Sequence, residues 1–130
     1  MARRPLEWIW GWGPAVAYLA LIFVLSSLPL RGLGPSPFTA ADKLIHAVEF
    51  GLLCGLLFRG LRLSRIRWLF RWAPLVALVL ASLYGALDEW HQGFSGRDPD
   101  FGDWLADTVG AALVAAGLMA YTELHKEPES

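Results

Sequence analysis

Four long apolar stretches dominate the pattern of hydrophobic and polar positions along the chain. They cover about residues 14–28, 44–58, 72–92 and 103–121, and each approaches the roughly 20 residues that a helix needs to cross a bilayer. We therefore predict an all-α fold, a bundle of four transmembrane helices over residues 14–121. An N-terminal interfacial segment, residues 1–13, precedes the bundle, and a disordered polar tail, residues 122–130, follows it.

The flanking residues predict how the helices sit in the membrane. Trp8, Trp10 and Trp12 precede the first stretch and resemble the aromatic belt of a membrane interface, which favours an anchor over a removed signal peptide. Five arginines and no acidic residue lie between the second and third stretches. They are Arg59, Arg62, Arg65, Arg67 and Arg71. The positive-inside rule makes this loop and both termini cytoplasmic, in a multi-pass membrane protein.

Composition supports the membrane and excludes other classes of protein. Of the 130 residues, 55% are hydrophobic and 18% charged, and a soluble domain of this size could not bury so much apolar surface. The net charge of −1 creates no field for binding nucleic acid. Cys54 is the single cysteine, so a disulfide framework and a multi-cysteine zinc site are both excluded.

Acidic residues concentrate at the predicted outer ends of the last three helices. Eight of the 12 lie there: Asp42, Glu49, Asp88, Glu89, Asp98, Asp100, Asp103 and Asp107. Ionisable groups at membrane depth cost several kcal/mol unless they face protein or water, as a rough guide. Helical spacing places Asp42, His46 and Glu49 on one face, Asp88 and Gln92 on a second, and Asp103 and Asp107 on a third. We expect these faces to form one outward-facing polar pocket, although Glu89 can point elsewhere because consecutive residues occupy different helix faces. The predicted pocket residues are Asp42, Lys43, His46, Glu49, Asp88, Glu89, Gln92, Arg97, Asp103 and Asp107.

Three motifs in order resemble the VanZ-like family of membrane proteins. They are Asp42-Lys43-x-x-His46, Asp88-Glu89-x-x-Gln92, and Arg97 followed by Asp103-x-x-x-Asp107. The likeness covers about Asp42 to Gly117, and it departs from the family at Asp107, where many members carry Asn. The resemblance implies a multi-pass, multi-helix protein of the bacterial cytoplasmic (inner) membrane, in a context like resistance to the glycopeptide teicoplanin. It attaches no reaction to the family.

Several interpretations of the polar residues stay open at this point. His46 and Glu49 could belong to a structural hydrogen-bonded network, to a proton- or ligand-binding site, or to a divalent metal site that also includes Asp88. The guanidinium of Arg97 suits a lipid phosphate or pyrophosphate, or else an internal clamp to Asp100 or Asp103. The following Asp98-Pro99-Asp100 is typical of a turn that also begins the fourth helix, with an aspartate as the helix cap. No cofactor beyond that metal is indicated.

Two classes of function follow from the pocket. In the first, it binds a membrane lipid or lipid-linked envelope precursor and changes its handling. In the second, the protein is an intramembrane hydrolase or transferase that uses a metal or acid–base groups on a lipid-linked substrate. We favour binding, because no complete catalytic set can be named and the Gly-rich phosphate loop, H-E-x-x-H and G-x-S-x-G motifs are missing. The small residues of the fourth helix form either a homodimer seam or a packing face inside the monomer. They are Gly110, Ala111, Ala112, Ala115, Ala116 and Gly117.

Overall fold

The fold consists of four long helices joined by short connections. A computed structural model describes residues 5–28, 39–95 and 98–126. The helices are α1 (Pro5–Ser27), α2 (Ala40–Leu63), α3 (Arg67–Gln92) and α4 (Phe101–Leu124). At 1.5 Å per residue they are about 35 to 39 Å long, more than the ~30 Å hydrocarbon core of a bilayer. All four are long and apolar enough to cross a membrane, which confirms the prediction of an all-α chain with four membrane-length helices.

The helices are longer than the apolar stretches that predicted them. The segment predicted to be interfacial is helical from Pro5 onward, and α4 continues to Leu124, into the predicted tail. Charged residues at a helix end retain the helical hydrogen bonds, so hydropathy marks only the part suited to hydrocarbon. Capping side chains define two of the beginnings: Thr39 Oγ1 accepts from an α2 N–H, and Asp100 accepts from an α4 N–H, as predicted for Asp100. Residues 127–130 of the predicted tail lie outside the described residues.

The closest helix contact joins α2 and α4 through their main chains. A Cβ atom at Gly110 would collide with the backbone of Ala47, and one at Gly51 would lie 3.3 Å from the Gly110 carbonyl oxygen. Small residues let membrane helices approach this closely. Gly110, Ala111 and Ala115 are buried inside the monomer, so this part of the small-residue face packs internally. Ala116 and Gly117 are exposed, and dimerisation stays a prediction.

One face of α3 changes from apolar to polar along its length. Ala73, Ala77 and Ala81 are fully buried at intervals of four residues, and the same side of the helix continues through Gly85 to the buried carboxylate of Asp88. The C-terminal end of α3 therefore directs polar groups toward the bundle, beside the N-terminal ends of α2 and α4.

Helix α1 lies at the edge of the bundle. It contacts α2 and α3, and within the described residues it makes no contact with α4. The Tyr18 hydroxyl donates to the Glu49 carbonyl oxygen at 3.0 Å, and the Tyr84 hydroxyl donates to the Leu19 carbonyl oxygen at 2.7 Å. These two bonds are polar contacts that attach α1 to α2 and to α3.

Candidate functional site

A group of charged side chains joins the N-terminal ends of α2 and α4. We call it the α2–α4 network, and its members are Asp42, Lys43, His46, Asp100, Asp103 and Asp107. The Lys43 ammonium forms its centre on the outer side: it donates to Asp100 Oδ2 at 2.5 Å, to Asp103 Oδ1, and to Asp42 Oδ2 at 3.4 Å. One cation therefore holds three carboxylates from two helices.

Asp100 has two tasks at the edge of this network. Its Oδ1 caps α4 by accepting the Gly102 N–H at 2.9 Å, while its Oδ2 accepts from Lys43. Because the Lys43 ammonium and the Gly102 N–H both favour the charged form, the pKa of Asp100 lies below its ordinary value. The sequence predicted the cap but left Asp100 outside the set of pocket residues.

His46 connects the network to the interior of the bundle. Its Nδ1 lies 2.8 Å from Asp107 Oδ1, and its Nε2 lies 3.6 Å from Asp103 Oδ2. Asp103 and Asp107 are four residues apart on α4, so one imidazole bridges consecutive turns of the facing helix. The His46 side chain is 16% exposed, and Asp107 is fully buried.

Space for the buried carboxylate comes from a glycine on α3. A Cβ at Gly85 would lie 3.0 Å from Asp107 Oδ2 and 3.3 Å from the Phe50 ring. Asp107 Oδ2 has no hydrogen-bond partner among the residues that the structure describes. The site therefore holds a buried carboxylate with one oxygen satisfied by His46 and the other packed against apolar groups.

The end of α3 contributes two acidic residues, Asp88 and Glu89, that form hydrogen bonds with different helices. Asp88 accepts from the Ser26 hydroxyl of α1 and, at 3.0 Å, from the Gln92 amide. Glu89 accepts the backbone N–H of Asp100 at 2.8 Å, so it reaches the start of α4 rather than pointing elsewhere. The second oxygen of Glu89 is buried without a partner in the described part of the chain. Within that part, no hydrogen bond joins the Ser26–Asp88–Gln92 group to the α2–α4 network.

Glu49 does not share the face of α2 on which His46 meets α4, where the sequence predicted it. Together with Tyr18 it lines an apolar groove between α1 and α2, away from the contact that His46 makes with α4. Glu49 follows His46 by three positions, which is about 300° around the helix axis and so about 60° short of a full turn. This offset places Glu49 on the side of α2 that borders α1. The groove encloses about 460 Å³ and is lined by Tyr18, Leu21, Ile22, Leu25, Leu44, Ile45, Val48, Glu49 and Leu52.

The structure also changes the set of residues that could hold a metal ion. Asp42, His46 and Asp103 each offer one ligand atom, and these atoms lie within 4.8 Å of one another. His46 is thus grouped with Asp42 and Asp103, rather than with Glu49 and Asp88 as the sequence suggested. Arg97, the predicted phosphate ligand or clamp, lies outside the described residues.

Ser26 is a site residue that the sequence did not identify. Its hydroxyl donates to the Ile22 carbonyl oxygen at 2.8 Å, as is common for serine in membrane helices, but it also contacts Asp88. No pattern in the sequence distinguishes it from Ser27, which bonds only to the Phe23 carbonyl oxygen in the described structure. The His91 ring lies beside Phe23, with the ring centroids 4.6 Å apart and the planes tilted by 39°, and it makes no contact with the network within the described ranges.

Comparison with known proteins gives one result for this arrangement. The sequence model of the family described as VanZ/LLP1 matches residues 4–122, nearly the whole chain. No curated protein and no solved structure matches the chain significantly.

Proposed function

Because the chain belongs to the VanZ/LLP1 family and has four helices that could span a membrane, we propose that it binds an amphiphilic component of the bacterial cell envelope. The lipid chain lies in the groove between α1 and α2, and the polar head group meets the α2–α4 network. The observation that carries the proposal is the position of the groove. It is formed by the end of α1 and the beginning of α2, at the same end of the bundle as the network.

The groove has the properties of a site for an acyl or polyprenyl chain. Its volume of about 460 Å³ falls within the range of roughly 300–1,000 Å³ that is usual for small-molecule sites. Its walls are aliphatic except for Tyr18 and Glu49. A chain from a membrane lipid can enter sideways without crossing water, because the groove lies between two membrane-length helices.

The charge of the network indicates which head groups it accepts. Four carboxylates surround one lysine and one histidine; they belong to Asp42, Asp100, Asp103 and Asp107. Carboxylates accept hydrogen bonds, so hydroxyl and ammonium groups suit this site better than a bare phosphate does. We therefore infer a head group rich in donors, such as the saccharide or peptide of a lipid-linked envelope precursor.

The predicted orientation gives this binding its context. If the arginine-rich end of α2 and beginning of α3 are cytoplasmic, the network faces outward, where envelope precursors are displayed and where glycopeptides act. We propose that binding changes the handling or exposure of the precursor, in a context like teicoplanin resistance. Expression in a susceptible host should then raise the teicoplanin concentration that inhibits growth.

A groove-filling substitution tests the binding directly. Val48→Trp places a large side chain in the groove, whereas Leu83→Trp introduces the same side chain at an exposed position of α3. We expect Val48→Trp to lose the lipids that copurify with the wild-type protein, as measured by mass spectrometry, and to lose resistance. Equal lipid retention in the two variants would refute the proposal.

An enzyme remains the second candidate because of the His46–Asp107 pair. A buried carboxylate that orients an imidazole, whose other nitrogen stays available, is an arrangement suited to a general base. This candidate predicts that the purified protein releases a head group from a lipid-linked substrate and that His46→Gln abolishes release while lipid retention persists.

A further inference from the structure

Within the α2–α4 network, His46 Nε2 and Asp103 Oδ2 face each other across a gap of 3.6 Å. We propose that Asp42, His46 and Asp103 form a binding site for one divalent transition-metal ion, of the Zn²⁺ or Mn²⁺ type. All ligands of this site come from the protein itself, so its test measures the binding of the ion in the absence of added lipid.

The hydrogen bond to Asp107 determines which nitrogen of His46 faces the gap. Asp107 Oδ1 lies 2.8 Å from Nδ1 and accepts a hydrogen bond from it, so a neutral imidazole directs the lone pair of Nε2 toward Asp103. A lone pair and a carboxylate repel each other unless the imidazole takes up a second proton or a metal ion lies between them. The two atoms are 3.6 Å apart, too far for a hydrogen bond of ordinary length.

That separation suits two ligands of one ion. Metal–ligand distances of about 2.1 Å at a tetrahedral angle place two ligand atoms about 3.4 Å apart. A carboxylate oxygen of Asp42 lies within 4.8 Å of both other ligand atoms, and a small rotation of its side chain brings it into the shell. The three side chains are 14% to 20% exposed, so an ion can enter and water can complete its coordination.

Asp107 has the position of an outer partner in such a site. Histidines that bind metals almost always donate their other N–H to a carboxylate or carbonyl, which fixes the ring and raises its basicity. Asp107 is fully buried, and its Oδ2 has no partner within the described ranges. A positive ion on the far side of the imidazole would stabilise this buried charge, whose one polar partner in the described structure is His46.

Lys43 does not need to leave when the ion binds. It donates to Asp103 Oδ1 and Asp100 Oδ2, whereas the gap faces Asp103 Oδ2. Only its 3.4 Å contact with Asp42 has to be exchanged, and that contact is the longest of the three. A divalent ion would also offset part of the excess of carboxylates over cations in the network.

The donor atoms indicate the class of metal. One imidazole and two carboxylates suit Zn²⁺ or Mn²⁺, whereas Mg²⁺ and Ca²⁺ prefer shells of oxygen alone. Three protein ligands also leave open positions, which is the pattern of metal sites that bind a further ligand.

Titration of the full-length protein, purified without a polyhistidine tag and stripped with a chelator, tests the site. Zn²⁺ should bind with one ion per chain, and Mg²⁺ at the same concentration should not compete. Co²⁺ in its place should give visible absorption bands that Zn²⁺ abolishes. Asp107→Asn should weaken Zn²⁺ binding by about 10–100-fold, the effect of losing an outer partner, and loss of a direct ligand should cost at least as much.

Matched variants separate the site from surface binding. Asp42→Asn removes a partly exposed ligand outside the core, so its effect on Zn²⁺ affinity is measurable even if His46→Gln fails to fold. Asp98→Asn and His125→Gln change exposed residues outside the network and should bind Zn²⁺ as the wild type does. A folded wild-type protein that binds no stoichiometric Zn²⁺, or Zn²⁺ binding unaffected by Asp42→Asn, would overturn the proposal.

Discussion

The buried pair of His46 and Asp107 should dominate the energetics of the α2–α4 contact. Replacing His46 by alanine leaves the fully buried Asp107 without its hydrogen-bond partner, so the carboxylate must take up a proton or admit water. Breaking a buried pair in this way costs about 3–5 kcal/mol, and the partial exposure of His46 places the expected loss near 3 kcal/mol.

A double-mutant cycle isolates the interaction itself. Asp107→Asn keeps the size of the side chain and removes its charge, so alone it should cost about 1 kcal/mol. In the double variant no charge is left unpaired. We expect its free energy of unfolding to fall by about 2 kcal/mol, instead of the roughly 4 kcal/mol that the sum of the two single variants would give. The coupling energy is then about 2 kcal/mol.

Unfolding in mixed micelles of increasing SDS content, followed by tryptophan fluorescence, measures these differences. His125→Ala is the control, because that histidine lies exposed at the end of α4. A coupling energy below about 0.5 kcal/mol, the range in which independent sites add, would show that the two side chains do not stabilise each other.

Three further predictions concern the edges of the network, the helix contact and the orientation. Because the pKa of Asp100 is lowered in the folded protein, its stabilisation is complete above about pH 4, the ordinary pKa, and is lost as the pH falls through the lower folded value. The free energy of unfolding of Asp100→Asn, measured as the pH is lowered, should therefore lack the fall that protonation of Asp100 causes in the wild type. Gly110→Ala should lower the free energy of unfolding by about 2 kcal/mol through overpacking, whereas Gly117→Ala, with open space around it, should change it by less than about 1 kcal/mol. A membrane-impermeant thiol reagent applied to intact cells should label Ser95→Cys and spare Ile66→Cys.

Each of these has a clear contrary outcome. Asp98→Asn should retain the acid-dependent loss of stability, and identical acid unfolding of the Asp98 and Asp100 variants would remove the role given to Asp100. Equal effects of alanine at the two α4 glycines would show that α2 and α4 separate without cost. Labelling of Ile66→Cys alone would reverse the orientation; Cys54 does not interfere, because it is fully buried.

Helix number was predictable from the sequence, and helix length was not. Four apolar runs each long enough to span a bilayer leave few alternatives for an all-α chain. The ends were missed because charged turns remain helical outside the hydrocarbon, as the first turns of α1 do. Capping residues were the better guide to the boundaries, since Asp100 marks the start of α4.

The site was predictable as far as spacing along one helix could determine it. Asp103 and Asp107 share a face, and His46 meets that face. Spacing could not show which neighbour each side of α2 would meet, so Glu49 was grouped with His46 although it lines the groove beside α1. The register between helices depends on the main-chain contact at Gly110, and only the packed structure reveals such a contact.

The peripheral position of α1 divides the molecule into parts that can change independently. The charged network is built at the beginnings of α2 and α4, whereas one wall of the groove belongs to α1. Exchanging α1 for another apolar helix would alter which hydrocarbon chain fits and leave the head-group chemistry intact, provided that a hydroxyl remains at position 26 for Asp88. Divergence among related proteins can therefore proceed by replacing one helix, so that a single arrangement of charged groups serves ligands with different tails.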